Sequence, residues 1–237
     1  MISWRSFGPG ALANAPRPGQ EIPCPRTALR LEVSGPQHLN VHLARLEAGA
    51  LALGNSTEWL GAAGQSLLEW LHIEATVEPC ALRLQLHPDQ GLLIAELGPL
   101  PRHRLPYHLV AMEHPLASQR NETATRHKGL CGPWSAQVLD VASQMGAQDA
   151  LLIWPDGTLA ETAIAALGLE VEDILYVPPA EGRVTSIAEA LDLPAWAAGR
   201  GLQLRQEPIP KARIRDGKLW CMNSLRGIWP AKVAGDV

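Results

Sequence analysis

The sequence predicts an α+β fold in two domains, and three observations carry that expectation. At 237 residues the chain can bury two modest cores. Strand-like alternation and helix-like spacing are mixed in both halves, without a regular strand-helix-strand rhythm. A polar run, HPLASQRNETATRH, falls between the halves. A small N-terminal α+β domain is therefore expected over 1–115, a linker over 116–126 and a C-terminal α/β domain over 127–237.

The elements follow in order. The first two dozen residues, with GPG, APRPGQ and IPCP, are rich in Gly and Pro and give little sign of regular structure. RTALRLEV reads as a strand, although Ala28 and Leu29 interrupt a clean alternation. Leu39, Leu43, Leu46, Ala50 and Leu53 recur at three- and four-residue steps before Gly54, the pattern of an amphipathic helix and its stop. A second helix is expected from Glu58 to Ile73. ALRLQLH, the turn PDQ and the apolar GLLIAEL form a hairpin pattern, and YHLVAM is a further strand.

Past the linker, Ser135 to Met145 has helical spacing and Gly146 ends it. DALLIW and GTLAET flank the turn WPDG as a second hairpin. ILYVPP is a short strand stopped by prolines. Ser186 and Glu189 have capping-box spacing for a helix through Leu191. Strands over Leu202 to Gln206 and Leu219 to Asn223 lead through the turn SLRG into IWPAKV.

Composition excludes several classes of partner. Net charge is -4 and the cations are dispersed, so neither nucleic acid nor an anionic membrane is expected. A small molecule is the better partner. No run approaches the roughly 18 apolar residues of a membrane span, and MISWRSFGPG lacks the pattern of a secretory leader. A cytoplasmic protein is expected. Cys24, Cys80, Cys131 and Cys221 are too scattered for a metal or redox motif and read as free thiols. Cys131 has no second feature to support a nucleophilic role.

The chemistry concentrates in a few motifs. HKGLCGPW places Lys128 just before a helix; DALLIWPDG and Glu161 in LAET follow; MNSLRGIWPAKV lies near the C-terminus; RTALRL and HLARLEAGALALG lie in the first half. Taken alone, Lys128 would be an ordinary solvated charge. Together and in this order, over about residues 25 to 237, these motifs resemble the fold-type IV pyridoxal-phosphate enzymes, the class IV aminotransferase family. The aminodeoxychorismate lyase branch is the most similar, and the interval from Lys128 to Glu161 is that of its lyases.

The resemblance implies a D-amino-acid aminotransferase-like fold with a barrel-like C-terminal domain, pyridoxal 5'-phosphate in the cleft between the domains, an amino substrate and a homodimer. Lys128 would be the Schiff-base lysine and the base, chemistry open to an amine that is partly unprotonated. Glu161 would hold the pyridine nitrogen, keeping the ring an electron sink. Arg45, in HLARL, would bind the phosphate with its guanidinium fork, joined by Ser224 and by the backbone amides of Ile187 and Ala188. Leu225 and Arg226 are candidates for the substrate carboxylate. The implied reaction converts 4-amino-4-deoxychorismate to 4-aminobenzoate and pyruvate.

Some positions depart from the family pattern. GLCGP stands where a Tyr or Arg usually follows the lysine, Ala166 stands for an Asn, and VTSIAE replaces PGxxR so that the usual Arg is Glu189. A carboxylate in a first helical turn competes with phosphate for the same positive end. Two alternatives therefore accompany the lyase: a class IV amino-acid aminotransferase of branched-chain or D-amino-acid type, and a catalytically degenerate homologue acting as a binding protein.

Overall fold

Alternation in RTALRLE sets the first sheet. In the computed structural model, which describes residues 3–11, 24–74, 77–102 and 104–234, strand β2 (Arg26–Glu32) turns Thr27, Leu29 and Leu31 inward and its arginines outward. The apparent break at Ala28 disappears once Thr27 counts as an inward residue. The chain divides into two units, Met1–Pro101 with His127–Gly132, and Arg102–Arg126 with Pro133–Val237.

In the first unit a five-stranded sheet has the order β1-β5-β4-β2-β3, where β1 is Ser3–Phe7, β3 Gly35–Pro36, β4 Cys80–His87 and β5 Leu92–Gly98. The expected hairpin of β4 and β5 is present and antiparallel. Helices α1 (Leu39–Ala52) and α2 (Leu60–Ile73) lay Leu46, Ala50, Leu67 and Leu71 onto it. Leu29, Leu82, Leu84, Leu86 and Leu93 are fully buried, each stabilising the unit by about 1.5–3 kcal/mol relative to exposure.

The N-terminal stretch corrects the sequence reading. Ser3–Phe7 is an edge strand antiparallel to β5, and Phe7 packs on Trp70 with ring centroids 5.8 Å apart. Two aromatic residues in five outweighed the Gly- and Pro-rich surroundings. The segment 12–23 lies outside the described residues.

The second unit holds an eight-stranded mixed sheet, β11-β10-β9-β12-β13-β6-β7-β8. Its strands are β6 (Tyr107–Glu113), β7 (Asp149–Ile153), β8 (Leu159–Thr162), β9 (Ala166–Val171), β10 (Ile174–Val177), β11 (Gln203–Gln206), β12 (Lys218–Asn223) and β13 (Gly227–Val233). Helix α3 (Trp134–Gln144) joins β6 to its parallel neighbour β7, and α4 (Ile187–Leu191) with α5 (Leu193–Ala198) joins β10 to parallel β11. Parallel neighbours require such crossovers. Two strand-helix-strand units are thus present where the sequence showed no such rhythm.

The unit boundaries also differ from 1–115, 116–126 and 127–237. Strand β6, read as the close of the first domain, pairs with β7 and β13 in the second sheet. Residues 116–126 belong to the second unit, and His127–Gly132 returns to the first. Sheet partners distant in sequence leave no mark on a local pattern. Among the described residues no helix is long and apolar enough to cross a membrane.

Candidate active site

Lys128 stands on a loop fastened to the start of β2. The backbone N–H of Arg26 donates to the Lys128 carbonyl at 3.0 Å, and Arg26 Nη2 donates to the Gly132 carbonyl at 3.2 Å. Gly129 completes the attachment at φ +99°, where an added Cβ would run into the Cys24 carbonyl and the Arg26 side chain. The loop backbone is therefore held while the Lys128 side chain remains exposed. An exposed amine can meet an incoming aldehyde.

Inward from that loop, Thr27 Oγ1 and His42 Nδ1 lie 2.6 Å apart, both residues buried. Burial, reinforced by the positive charges of Arg45, Lys128 and His38, pushes the His42 pKa down to about 3. The ring is neutral at physiological pH. Its Nε2 is buried without a protein hydrogen-bond partner. Arg45 sits half-buried one turn further along α1.

In the second unit β8 carries Glu161, 8% exposed. His114, at the end of β6 and 2% exposed, places Nε2 3.5 Å from Glu161 Oε1. Its ring stacks on Trp154 with centroids 4.1 Å apart and planes at 15°, and meets Trp134 at 5.4 Å. Trp154 also receives the Arg120 guanidinium at 4.6 Å. Gly182 permits this crowding, since a Cβ there would strike Arg120. Trp134 is a packing residue in this arrangement.

Next to Gly182, Arg183 is almost wholly buried. It donates from Nη1 and Nη2 to the two carboxylate oxygens of Glu189 at 2.7 and 2.6 Å, and to the carbonyls of Pro178 and Pro179 at 2.6 and 2.9 Å. Burial works against its charge, while Glu189 hydrogen-bonded to it and the nearby Glu161 raise its pKa. Ile187 and Ala188 open α4 behind the N-cap Ser186, whose N–H donates to Glu189 Oε2 at 3.4 Å. The carboxylate that replaces the expected arginine is thus neutralised by Arg183. It leaves no unpaired negative charge at the helix start.

Ser224, Leu225 and Arg226 lie half-buried on the turn between β12 and β13. Asn223 Oδ1 accepts from the backbone N–H groups of Leu225 and Arg226 at 3.1 and 3.0 Å, and Asn223 Nδ2 donates to the Ile164 carbonyl at 3.2 Å. Those two amides are consequently engaged within the turn. Arg226 Nη1 donates to Tyr107 Oη at 3.4 Å, while its buried Nε has no protein partner. Any carboxylate-binding role there falls to the guanidinium.

Beneath this turn Asp149 accepts from Tyr107 Oη at 3.3 Å, Thr162 Oγ1 at 2.7 Å and the N–H groups of Ala150 and Ala163 at 2.8 and 3.0 Å. Burial nonetheless pushes its pKa up to about 6. The network fastens β7 to the residue after Glu161. A cavity of about 870 Å³ elsewhere in the second unit, lined by Ile214, Leu219, Trp220, Pro230 and Lys232 among others, contains none of these groups.

The exposed amine and the guanidinium of the first unit, and the buried carboxylate, the hydroxyl and the helix start of the second, are each of a kind that a phosphorylated pyridine aldehyde would need. The unpartnered Nε2 of His42 and Nε of Arg226 are buried polar atoms consistent with a polar ligand. In chemical kind, the residues of each unit taken by itself fit such a cofactor. His114 and Arg183 were missed in the sequence, where no motif marks them, and Asn223 stood in the MNSLRGIWPAKV motif without being given a role.

The family model for class IV amino-transferases matches residues 27–234. No curated protein sequence matches the chain. A fold IV-transaminase, CpuTA1, from Curtobacterium pusillum is 16% identical with a TM-score of 0.81, covering 100% of this chain and 93% of its own. A provisionally named 4-amino-4-deoxychorismate lyase from Legionella pneumophila subsp. pneumophila is 21% identical with a TM-score of 0.77, covering 93% and 88%. The PLP-bound form of a hypothetical aminotransferase from Mycobacterium tuberculosis is 16% identical with a TM-score of 0.74, again covering 93% and 88%. At these identities the likeness is one of fold.

Proposed function

Because the chain belongs to the class IV aminotransferase family, whose enzymes use pyridoxal phosphate, we propose that it is a lyase converting 4-amino-4-deoxychorismate to 4-aminobenzoate and pyruvate. The observation that carries this reading is the buried Glu161 carboxylate, following Lys128 in the family's motif order, on a strand where His114 can hold it. The likeness of NSLRGIWPA to the lyase branch favours this reaction over transamination. The same resemblance carries a homodimer.

When bound, the cofactor supplies an aldehyde that takes up an amine and a ring that draws electrons from the adjacent carbon. Lys128 would hold the cofactor through Nζ and would serve as the base for the proton on the substrate's amine-bearing carbon. Glu161 would face the ring nitrogen. Arg45, Ser224 and the Ile187 and Ala188 amides would hold the phosphate. The Arg226 guanidinium would hold a substrate carboxylate. As the proton leaves, the bond from the ring carbon to the enolpyruvyl oxygen breaks; the departing enolpyruvate takes up a proton to become pyruvate. Aromatisation drives the elimination, and no oxidant is needed.

A second reading, transamination of an amino acid, uses the same residues and accords with the class IV amino-transferase family model that the chain matches. Supplying 4-amino-4-deoxychorismate to the protein loaded with pyridoxal phosphate tests the choice. Equal amounts of 4-aminobenzoate and pyruvate are expected. A keto acid formed from a supplied amino acid, without aminobenzoate, would overturn the lyase.

A further inference from the structure

We propose that His114 is the positioning residue of Glu161, fixing the direction in which that carboxylate presents its oxygens. The inference rests on the proposed role of Glu161 toward the cofactor ring and extends it to a group no motif marks.

Three constraints hold the imidazole. Its backbone is fixed at both sides, because the His114 N–H donates to the Ile153 carbonyl at 2.9 Å and its carbonyl accepts from the Ala117 N–H at 3.0 Å. The ring lies flat on Trp154 and against Trp134, which leaves it little freedom to turn. Finally, Nδ1 accepts the backbone N–H of Leu116 at 3.1 Å. A nitrogen that accepts carries no proton, so in the neutral ring the proton is on Nε2. That is the atom 3.5 Å from Glu161 Oε1. Only a donor can face the carboxylate.

The consequence is directional. With His114 occupying one side of Oε1, Glu161 keeps its remaining acceptor positions for a ring N–H, and a buried hydrogen bond to a charged group holds it there. Neighbours that orient a cofactor-binding group affect affinity through geometry, without touching the ligand. His114 is therefore assigned no contact with the cofactor itself.

The test has two arms. In cofactor-free protein, nitrogen NMR of the histidine rings should find His114 protonated on Nε2 and unprotonated on Nδ1, and Glu161→Gln should shift the Nε2–H signal. A proton on Nδ1, or an unmoved signal in Glu161→Gln, overturns the proposal. In the second arm, wild type, His114→Phe and His114→Gln are titrated with pyridoxal phosphate and followed by fluorescence and absorption. His114→Phe keeps an aromatic face for Trp154 but loses the donor, so its Kd should rise about tenfold, with a change in the pH profile of the bound absorption band. His114→Gln, which restores an N–H, should recover most of the affinity. Wild-type affinity and an unchanged band profile in His114→Phe overturn the proposal. If wild type takes up no pyridoxal phosphate, the reading of the site fails, and the NMR arm still decides whether His114 directs Glu161.

Discussion

His42 shows how one buried side chain, beside residues proposed to bind the cofactor, can tie the first unit to acid stability. Unfolded, its ring takes a proton near pH 6.5; folded, burial beside Arg45 and Lys128 delays protonation to about pH 3. The unfolded chain binds more protons across that window, so stability falls as the pH falls through it. Between pH 6.5 and 4 the loss is on the order of 3 kcal/mol. Urea unfolding of the cofactor-free protein should show this acid slope, and His42→Asn should flatten it; an unchanged slope in the variant would refute the assignment. At this scale the residues proposed for the site, Lys128, Arg45, Glu161 and Ser224, all come from motifs in the sequence. It did not reveal His114, whose partner lies 47 positions away. Thr27 was likewise passed over, because a buried threonine becomes meaningful only once His42 is seen against it.

The short helix α4 carries the substitution that most threatened the functional reading. Glu189 stands where the resemblance calls for an arginine, yet Arg183 meets both its oxygens. Breaking a buried pair from one side strands the other charge. Glu189→Ala should therefore destabilise the protein by about 3–5 kcal/mol, seen as a large fall in Tm. A double change to Arg183→Leu and Glu189→Leu should recover much of the loss. A single variant as stable as wild type would show that the pair is not structural. The capping-box spacing of Ser186 and Glu189 could be read in advance, whereas the pairing of Glu189 across the loop could not. The same contrast holds among strands. β4 and β5 announce themselves by alternation and a turn between them, but β9, ALGLEV, is buried over its first four residues and has no period-two pattern to find.

Across the molecule the sequence uses eight tryptophans and one phenylalanine. The bias has no evident meaning in the sequence, and in the fold it is a packing habit. Trp70, Trp154, Trp196, Trp220 and Trp229 each meet another ring, and Arg120, Arg200 and Arg226 lie over the faces of four of these. Indoles offer large faces to both rings and guanidinium groups. One such stack, Trp154 on His114, is the wall that holds the Glu161 partner in place. Family and fold were readable because ordered motifs survive sequence change, while the chain's path between its two units was not, since His127–Gly132 returns to the first sheet without any local signal. That return fastens Lys128 to β2, and the proposed chemistry depends on that lysine. Borohydride reduction of the protein loaded with pyridoxal phosphate, followed by peptide mass mapping, tests it most directly. The account predicts the reduced cofactor's mass on Lys128 and none in Lys128→Ala; label on Lys211, Lys218 or Lys232 instead, or no uptake at all, would contradict it.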